Sequence, residues 1–515
     1  MATTTDVPSG VVRSLIPARM DRLPWTRFHT KLVMSLGTAW ILDGLEITLA
    51  GSVAGVLTRS DTLHMSSTAV GAIASVYLVG EVVGALVFGR LSDALGRRKL
   101  FMVTLGIYLV GSGLTAATAG SGPGWVAFLY ATRFVSGMGI GGEYSAINAA
   151  IDEMIPPKYR GRVDIGVNGT YWAGSILGTL GSLALLNWVG PAVGWRLGFL
   201  IGPALALVIL FVRRTLPESP RWLITHGRVN EAEQDLDGIE KEVAQESGKP
   251  LPPVDDSQAI EIRPEKFTGY FTLLKLCFTT YWRRSVLGGT LMITQSFLYN
   301  AIFFTYTLVL TKFYHVSATK APLYLIAFAV GNLAGPLILG RLYDTVGRKP
   351  MISGTYLLSG AMLLVSGYLF DQGVLTALTQ TIAWCVIFFF ASAGASSAYL
   401  TVSETFPVEI RSEAIALFFA IGQIFGAVGP VLYGALIGNG TDPFRLFIGY
   451  AIGGGVMIVG GLVELWLGVA AEGKGLEQVA RPLTAVTAAQ VPRAGLHKAQ
   501  YSPSAKPAGR ASAAA

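Results

Sequence analysis

Long stretches of this chain contain no charged residue, and they constrain its fold more than any other feature. Four of them cover residues 100–132, 165–195, 285–311 and 372–403, which contain no Asp, Glu, Lys or Arg. Crossing the hydrocarbon core of a bilayer takes about 20 apolar residues in an α-helix. Each stretch is long enough for one span, or for a span and a turn, so the sequence predicts a polytopic α-helical membrane protein.

The composition excludes several other classes of protein. Charged residues make up 14% of the 515-residue chain, against about 25% in soluble domains, and the mean hydropathy is +0.52. Two cysteines are too few for a disulfide framework. The net charge of +7 comes from Lys and Arg concentrated on one set of loops, as the positive-inside rule requires. A soluble enzyme, a secreted disulfide scaffold and a nucleic-acid binder are therefore excluded.

Apolar segments of span length recur about twelve times along the chain. The predicted spans are residues 32–57, 68–90, 100–119, 125–149, 165–188, 195–212, 285–311, 321–341, 351–370, 375–402, 412–437 and 444–468. They predict an N-terminal six-helix bundle at 32–212 and a C-terminal six-helix bundle at 285–470. A linker at 213–284, expected to carry a surface helix, joins the two bundles.

The remaining segments predict the orientation of the chain in the membrane. A basic leader at 1–31 precedes the first span, and an Ala-, Pro- and Ser-rich tail at 471–515 is expected to be disordered. Leader, linker and tail hold most of the positive charge, so both termini are expected on the cytoplasmic side of the plasma or inner membrane. The first apolar run is too long for a signal peptide and should remain as a membrane helix.

Two different motifs repeat in the sequence at the same distance. Gly89–Lys99 reads GRLSDALGRRK and Gly340–Pro350 reads GRLYDTVGRKP, an offset of 340 − 89 = 251. Glu153–Arg160 and Glu404–Arg411 both have the form ExxPxxxR, and their offset is 404 − 153 = 251 again. Six predicted spans fit in this offset, so both copies lie on one side of the membrane. The repeat predicts two six-helix halves related by an axis along the membrane normal.

These motifs resemble those of the major facilitator superfamily, over about residues 25–480. GRLSDALGRRK is similar to the signature of that superfamily between its second and third helices. Pro217–Leu223 reads PESPRWL, which resembles the mark of the sugar porter and metabolite:proton symporter branch after helix 6. Glu472–Glu477 reads EGKGLE and is similar to a degenerate form of that branch's C-terminal mark. The resemblance implies two pseudo-symmetric bundles of six helices and a transporter that acts as a monomer.

Each copy of the repeated motifs combines acids with bases. These residues are Asp93, Arg97, Glu153 and Arg160 in the first half, and Asp344, Arg348, Glu404 and Arg411 in the second. Partly buried ion pairs between the halves can hold the cytoplasmic face shut, and their rupture lets the halves rock apart. Basic loops that only fix orientation are the alternative, but orientation needs no acids. The pattern predicts a cytoplasmic gate.

The first span contains two acids, Asp43 and Glu46, in an otherwise apolar helix. A charge near the bilayer centre costs at least about 2.5–3.5 kcal/mol, and a spacing of three puts both side chains on one face, toward the bundle. In sugar porters the acid at the position of Glu46 pairs with a helix 4 arginine, here Arg133, and takes the proton. Aromatic acid:proton symporters have a similar pair of acids in helix 1. The resemblance therefore implies proton coupling through Glu46, Asp43 and Arg133, with a static ion pair as the alternative.

Polar and aromatic side chains near the middle of other spans are the candidates for substrate binding. They are Gln295, Asn300, Asn168, Tyr171, Trp172, Asn332, Tyr399 and Gln423. Buried amides must find partners, so hydrogen bonding between helices is the alternative role. The Gln-x4-Asn spacing of Gln295 and Asn300 is the one that sugar porters use to bind hydroxyl groups.

Several positions depart from the sugar porter pattern. Tyr399 stands where that pattern has Trp, and Glu81 and Glu143 add carboxyl groups that a neutral sugar does not need. We therefore predict a secondary transporter that works by alternating access, with proton symport of an organic acid or a sugar-like solute. A proton-independent uniporter and a transporter-like receptor that binds solute without moving it are the alternatives.

The sequence gives no support for enzymatic activity. No nucleophile–base pair, metal-binding cluster or ATP-binding loop is recognisable, so neither a cofactor nor a metal is expected. Gly137–Gly142 satisfies GxGxxG, but no strand precedes it and it lies inside an apolar helix. Small residues in that setting predict close helix packing. The expected partners are a small-molecule substrate, protons and the lipid bilayer.

Overall fold

The computed structural model describes residues 12–57, 60, 62–65, 67–213, 217–262, 270–316, 321–438 and 440–485, and these are mainly helical. The helices of the first half are α1 (Ile16–Asp21), α2 (Arg27–Leu57), α3 (Ser67–Leu95), α4 (Arg97–Ala116), α5 (Pro123–Met154), α6 (Pro157–Gly169), α7 (Tyr171–Trp188) and α8 (Pro191–Arg213). Between the halves lie α9 (Pro220–Thr225), α10 (Val229–Ser247) and α11 (Tyr270–Phe278). The second half contains α12 (Trp282–Phe313), α13 (Ala321–Thr345), α14 (Arg348–Asp371), α15 (Ala377–Thr405), α16 (Arg411–Gly426), α17 (Val428–Ile437), α18 (Pro443–Leu467) and α19 (Leu476–Val479). Two short strands, β1 (Val12–Ser14) and β2 (Ile260–Ile262), and a 3₁₀ helix at Asp256–Gln258 complete the described elements.

Nine of the described helices are long and apolar enough to cross a membrane by themselves: α2, α3, α4, α8, α12, α13, α14, α15 and α18. The other three predicted spans coincide with α5, with α6 followed by α7, and with α16 followed by α17. The last two spans are divided at Thr170 and at Ala427, which the sequence did not predict. The twelve-helix fold is confirmed, and most helices extend a few residues beyond the predicted spans.

Glycine permits a sharp turn at equivalent places in the two halves. Gly96 separates α3 from α4 at φ 98°, and Gly347 separates α13 from α14 at φ 120°. Residues with a side chain rarely adopt such a positive φ, so glycine is the residue that fits both turns. The turns place Arg97 and Arg348 at the first positions of α4 and α14. The repeated motif therefore fixes where these two arginines enter the fold.

Close packing of α3 against α5 depends on Gly141. A Cβ atom at this position would lie 2.1 Å from the backbone oxygen of Glu81 on α3. The GxGxxG segment is thus a helix-packing site, as expected from small residues inside an apolar helix. It also fixes the position of Glu81 relative to α5.

Replacing Gly141 by Ala should destabilise the fold, because the added methyl group meets backbone that cannot move aside easily. Overpacking of this kind costs about 1–3 kcal/mol. We expect a lower melting temperature for the detergent-purified protein, measured by intrinsic fluorescence. Gly106→Ala on α4 is the matched control, since its Cβ would meet nothing within 4 Å. Equal melting temperatures for the two variants would contradict this account of the packing.

The leader and the linker form a polar layer over the end of the molecule where α3, α5, α13 and α15 terminate; we call this end the charged face. β1 pairs with β2 in antiparallel register, and Arg19 on α1 binds Glu233 and Glu240 on α10. Burial alone would raise the pKa of the Glu240 carboxyl, but hydrogen bonds from Arg19 and Arg22 outweigh it and lower that pKa. The surface helix expected in the linker is α10, and it holds the leader in place through its carboxylates.

The tail contains order where disorder was expected. Within residues 471–485, Leu476 and Val479 are buried, and Glu477 accepts hydrogen bonds from Arg221 on α9. The prediction of a disordered tail starting at residue 471 is therefore wrong for residues up to 485, because a few apolar and acidic side chains there find partners on the charged face. Residues 486–515 lie outside the described residues.

Candidate functional site

A cavity of about 130 Å³ lies between the two bundles. The first half contributes Trp40, Asp43, Ile47, Leu78, Glu81, Tyr144, Asn168, Tyr171 and Trp172 to its lining. The second half contributes Gln295, Ser296, Tyr299, Asn300, Phe303, Ser392, Ala395, Ser396, Tyr399, Phe419 and Gln423. Because aromatic rings and a few polar groups converge from both halves, the cavity has the character of a small-molecule site.

Seven of the eight residues predicted to bind substrate line this cavity: Gln295, Asn300, Asn168, Tyr171, Trp172, Tyr399 and Gln423. The exception is Asn332 on α13, which accepts a hydrogen bond of 2.8 Å from the hydroxyl of Tyr299. Asn332 therefore lies behind the lining and positions Tyr299. The amide of Asn300 donates to Gln423 at 3.3 Å, so these two residues already form a pair within the second half.

The carboxyl group of Asp43 lines the cavity beside a second carboxyl group that the sequence did not single out as a site. Asp43 accepts hydrogen bonds from the hydroxyls of Tyr77, at 2.9 Å, and Tyr144. The carboxyl group of Glu81 on α3 lies beside it and lines the same cavity, opposite Gln423 of the other half. Repulsion between two neighbouring carboxylates favours the protonated form of one of them. The pair is therefore a buried place where a proton can reside.

Glu46 lies outside the cavity lining, behind Asp43, in an ion pair with Arg133. Arg133 Nη1 donates to Glu46 Oε1, which also accepts from Ser112 at 2.9 Å. Tyr108 donates to Glu46 Oε2 at 3.2 Å. Both charged side chains are almost fully buried, at 0% and 1% exposure. The structure thus brings together the three residues predicted for proton coupling in two adjacent clusters, one facing the cavity and one behind it.

The predicted gate residues form a symmetric network at the charged face. Within the halves, Arg97 binds Glu153 at 2.8 Å and Arg348 binds Glu404 at 2.9 Å. Between the halves, Arg411 reaches Glu153 at 3.3 Å, and Arg160 lies 3.6 Å from Glu404. Each glutamate therefore contacts one arginine of its own half and one of the other half. The side chain of Asp93, also predicted for this gate, lies outside the described residues.

Backbone hydrogen bonds strengthen the closure of the charged face. Asp344 on α13 accepts from the backbone N–H groups of Gly161 and Arg162 on α6, both at 2.9 Å. This contact joins the halves and does not depend on a second charged side chain. The cavity is consequently closed toward the charged face.

The two loop motifs outside the repeats cap equivalent helices. Glu218 of PESPRWL accepts from the backbone N–H of Arg97 at 2.9 Å, and Glu472 of EGKGLE accepts from that of Arg348 at 3.2 Å. Carboxylates at helix N-termini are favourable because they meet unpaired N–H groups and the positive end of the helix dipole. Burial nevertheless raises the pKa of the Glu218 carboxyl above its usual value.

Comparison with known proteins supports these observations. The family described as "Sugar (and other) transporter" matches residues 44–483. The niacin transporter NiaP of Acinetobacter baylyi is 26% identical over 463 residues, covering 90% of this chain and 99% of that protein. The putative metabolite transport protein YdjK of Escherichia coli is 27% identical, covering 90% and 96%. A putative niacin/nicotinamide transporter of Bacillus subtilis is 25% identical, covering 79% and 88%.

Solved structures share the fold of this chain. The proton:xylose symporter XylE bound to 6-bromo-6-deoxy-D-glucose superposes with a TM-score of 0.72 at 20% identity, covering 88% of this chain and 98% of that one. The partially occluded, inward-open conformation of XylE from Escherichia coli gives a TM-score of 0.60 at 18% identity, covering 85% and 97%. At these identities the likeness is one of fold.

Proposed function

Since this chain belongs to the sugar (and other) transporter family of the major facilitator superfamily, we propose that it moves a small polar metabolite across the cell membrane by alternating access coupled to protons. The family makes it a membrane transporter and not an enzyme. The observation that carries the finer proposal is a buried carboxylate–guanidinium pair, Glu46 with Arg133, next to a cavity that is closed at one face.

The symmetric ion pairs support alternating access. Because Glu153 and Glu404 each contact an arginine of the opposite half, the charged face can open only when both contacts between the halves break. Rocking of two packed bundles around a central site is the motion that breaks them together. The described state is then the one closed on the side of the charged face.

The pairing of Glu46 with Arg133 supports proton coupling. A carboxylate next to a guanidinium stays ionised, whereas the same group in an apolar surrounding and away from its partner takes up a proton. Ser112 and Tyr108 sit on α4, so a shift of α4 or α5 relative to α2 changes both the charge partner and the hydrogen bonds of Glu46. Proton uptake and helix movement would thus depend on each other.

The distribution of basic residues supports a cytoplasmic position for the charged face and for both termini. The leader, the linker and the short connections at Arg97 and Arg348 all lie at this face. Positive residues are retained on the cytoplasmic side of membrane proteins. The superfamily resemblance supports a monomer with an N-terminal bundle, a cytoplasmic linker and a C-terminal bundle.

Transport is tested by reconstituting the full chain in vesicles that enclose a pH-sensitive dye. Sugars, polyols, carboxylic acids, amines and neutral amides are added in turn, and labelled solute is followed in parallel. We expect one class of solute to acidify the lumen and to accumulate when the outside is more acidic. Solute movement without acidification would contradict proton coupling and favour the uniporter. Binding without any movement in this assay would favour the receptor.

A further inference from the structure

The lining of the cavity contains two carboxyl groups, Asp43 and Glu81, and among the described residues no Lys, Arg or His side chain lines it. Arg133 lies behind the lining, and its charge is matched by that of Glu46. Even with a proton on one of the two carboxyl groups, a solute with a carboxylate would meet a like charge in this site and find no counter-ion there. Such a juxtaposition costs several kcal/mol in recognition. The charge of the lining thus disfavours an organic anion.

The polar atoms that lack partners in the lining are mainly acceptors. Among the described residues, no donor reaches Glu81 Oε1, and Asn168 Oδ1 also has no hydrogen-bond partner. Glu81 is 1% exposed and Asn168 5%, so these oxygens cannot rely on bulk water. A buried acceptor left without a donor is costly. A solute that brings N–H groups into the cavity would satisfy both oxygens, and the indole N–H of Trp40, also unpartnered, can donate to an acceptor on the same solute.

Aromatic rings from both halves lie next to the carboxyl pair. The ring of Trp40 stacks on that of Tyr144 with centroids 4.3 Å apart, and it meets the edge of Tyr399 at 5.1 Å. Phe419 packs against Tyr144 at 5.2 Å. Ring faces attract cations, more strongly where water is excluded. The rings and the carboxyl groups therefore both favour a cationic solute, through separate interactions.

We propose that the cavity selects a compact organic cation, with an aromatic or heteroaromatic ring and a protonated nitrogen whose N–H groups bind Glu81 and Asp43. This proposal rests on the proposed function, in that it takes the cavity as the solute site. Trp40 and Tyr144 hold the ring from the first half, and Tyr399 and Phe419 hold it from the second. A solute bound in this way contacts both halves.

Three probes with one ring and different charges test the proposal: 3-(aminomethyl)pyridine, nicotinamide and nicotinate. Their dissociation constants are measured by titration calorimetry on the purified full chain in lipid nanodiscs at neutral pH. We expect the amine to bind at least about tenfold more tightly than the carboxylate, since like-charge contact costs several kcal/mol and each factor of ten corresponds to about 1.4 kcal/mol. Tightest binding by the carboxylate or by the neutral amide would overturn the proposal, and so would the absence of amine binding.

Two variants assign the selectivity to the carboxyl pair. Glu81→Gln should weaken binding of the amine by about tenfold or more and leave the neutral amide unchanged, because only the charge interaction is lost. Glu464→Gln, which replaces a buried acid of α18 outside the cavity lining, should leave both affinities unchanged. An equal loss for amine and amide in Glu81→Gln would contradict the assignment. Binding is measured here without transport, so the two proposals can fail separately. If the protein prefers the amine but moves no solute, only the transport proposal is refuted. If it transports solute but prefers carboxylates, only the proposal of a cation-selective cavity is refuted.

Discussion

Replacing Glu46 by Gln is expected to reduce strongly the accumulation of solute driven by a proton gradient, while solute still binds in the cavity. Glu46 does not line the cavity, so the loss should fall on coupling rather than on recognition. Typical coupling free energies correspond to about 5- to 150-fold, and we expect uptake against a gradient to fall by that range. The measurement compares gradient-driven uptake with solute exchange at equilibrium in reconstituted vesicles.

The experiment with Glu46→Gln needs a control for the charge of Arg133, which the substitution leaves without a partner. Breaking a buried ion pair by removing one partner costs about 3–5 kcal/mol, so Glu46→Gln leaves Arg133 uncompensated and could simply destabilise the protein. The double variant Glu46→Gln/Arg133→Gln removes both charges and should be folded but uncoupled. Ser112→Ala, which removes a neutral hydrogen-bond partner of Glu46, should retain coupling. Intact gradient-driven accumulation in a folded double variant would refute Glu46 as the proton carrier.

Asp43 is the other candidate for carrying the proton, and the same assay separates the two. Asp43 accepts from two tyrosines and contacts Glu81 in the cavity wall. Asp43→Asn should therefore mainly change the affinity for solute, whereas Glu46→Gln should mainly change the coupling of solute uptake to protons. Loss of coupling with unchanged affinity in Asp43→Asn would reverse this assignment.

The helices could be predicted from the sequence because the bilayer leaves few solutions for an apolar chain. Backbone groups in lipid must pair within the segment, so charge-free runs such as residues 285–311 directly indicate helices, here α12. The repeat at offset 251 also indicated which charged residues share a face. It could not indicate that Glu153 contacts Arg411 as well as Arg97, since contacts between halves depend on how the two bundles dock.

The wall of the cavity was harder to predict than its position. Glu81 is a visible acid in an apolar helix, but its contact with Asp43 depends on the rotation of α3, which the close approach at Gly141 fixes. The sequence pattern suggested an organic acid or a sugar-like solute. That prediction did not take into account the net charge of the cavity lining, which depends on the residues that the fold brings together. Asn332 was expected to contact substrate, yet its nearest partner is Tyr299. Tertiary packing, which a single sequence does not display, decides each of these points.

Neutralising both gate glutamates, in Glu153→Gln/Glu404→Gln, is expected to open the charged face and stop transport. Each substitution removes a carboxylate shared by two buried arginines, one of them in the other half. Loss of one partner of a buried pair costs about 3–5 kcal/mol, and about 5.5 kcal/mol is enough to move an equilibrium from 1:99 to 99:1. The double variant should therefore populate the open state, whereas each single variant should retain part of the closed state.

A cysteine placed under the gate measures this opening directly. Ser92 is fully buried where it meets Ser412 across the two halves, so Ser92→Cys, in a protein with Cys277 and Cys385 replaced by Ala, reports access from the charged face. Labelling by a membrane-impermeant maleimide should accelerate by on the order of 100-fold in the double variant, in line with the population shift.

Glu231→Gln is the matched control: it breaks a half-exposed pair with Arg228 on the same face, and exposed pairs are worth about 0–1 kcal/mol. Unchanged labelling in the double variant would mean that the contact of Asp344 with the backbone of α6 holds the face shut by itself, and the symmetric ion pairs would then not be the gate.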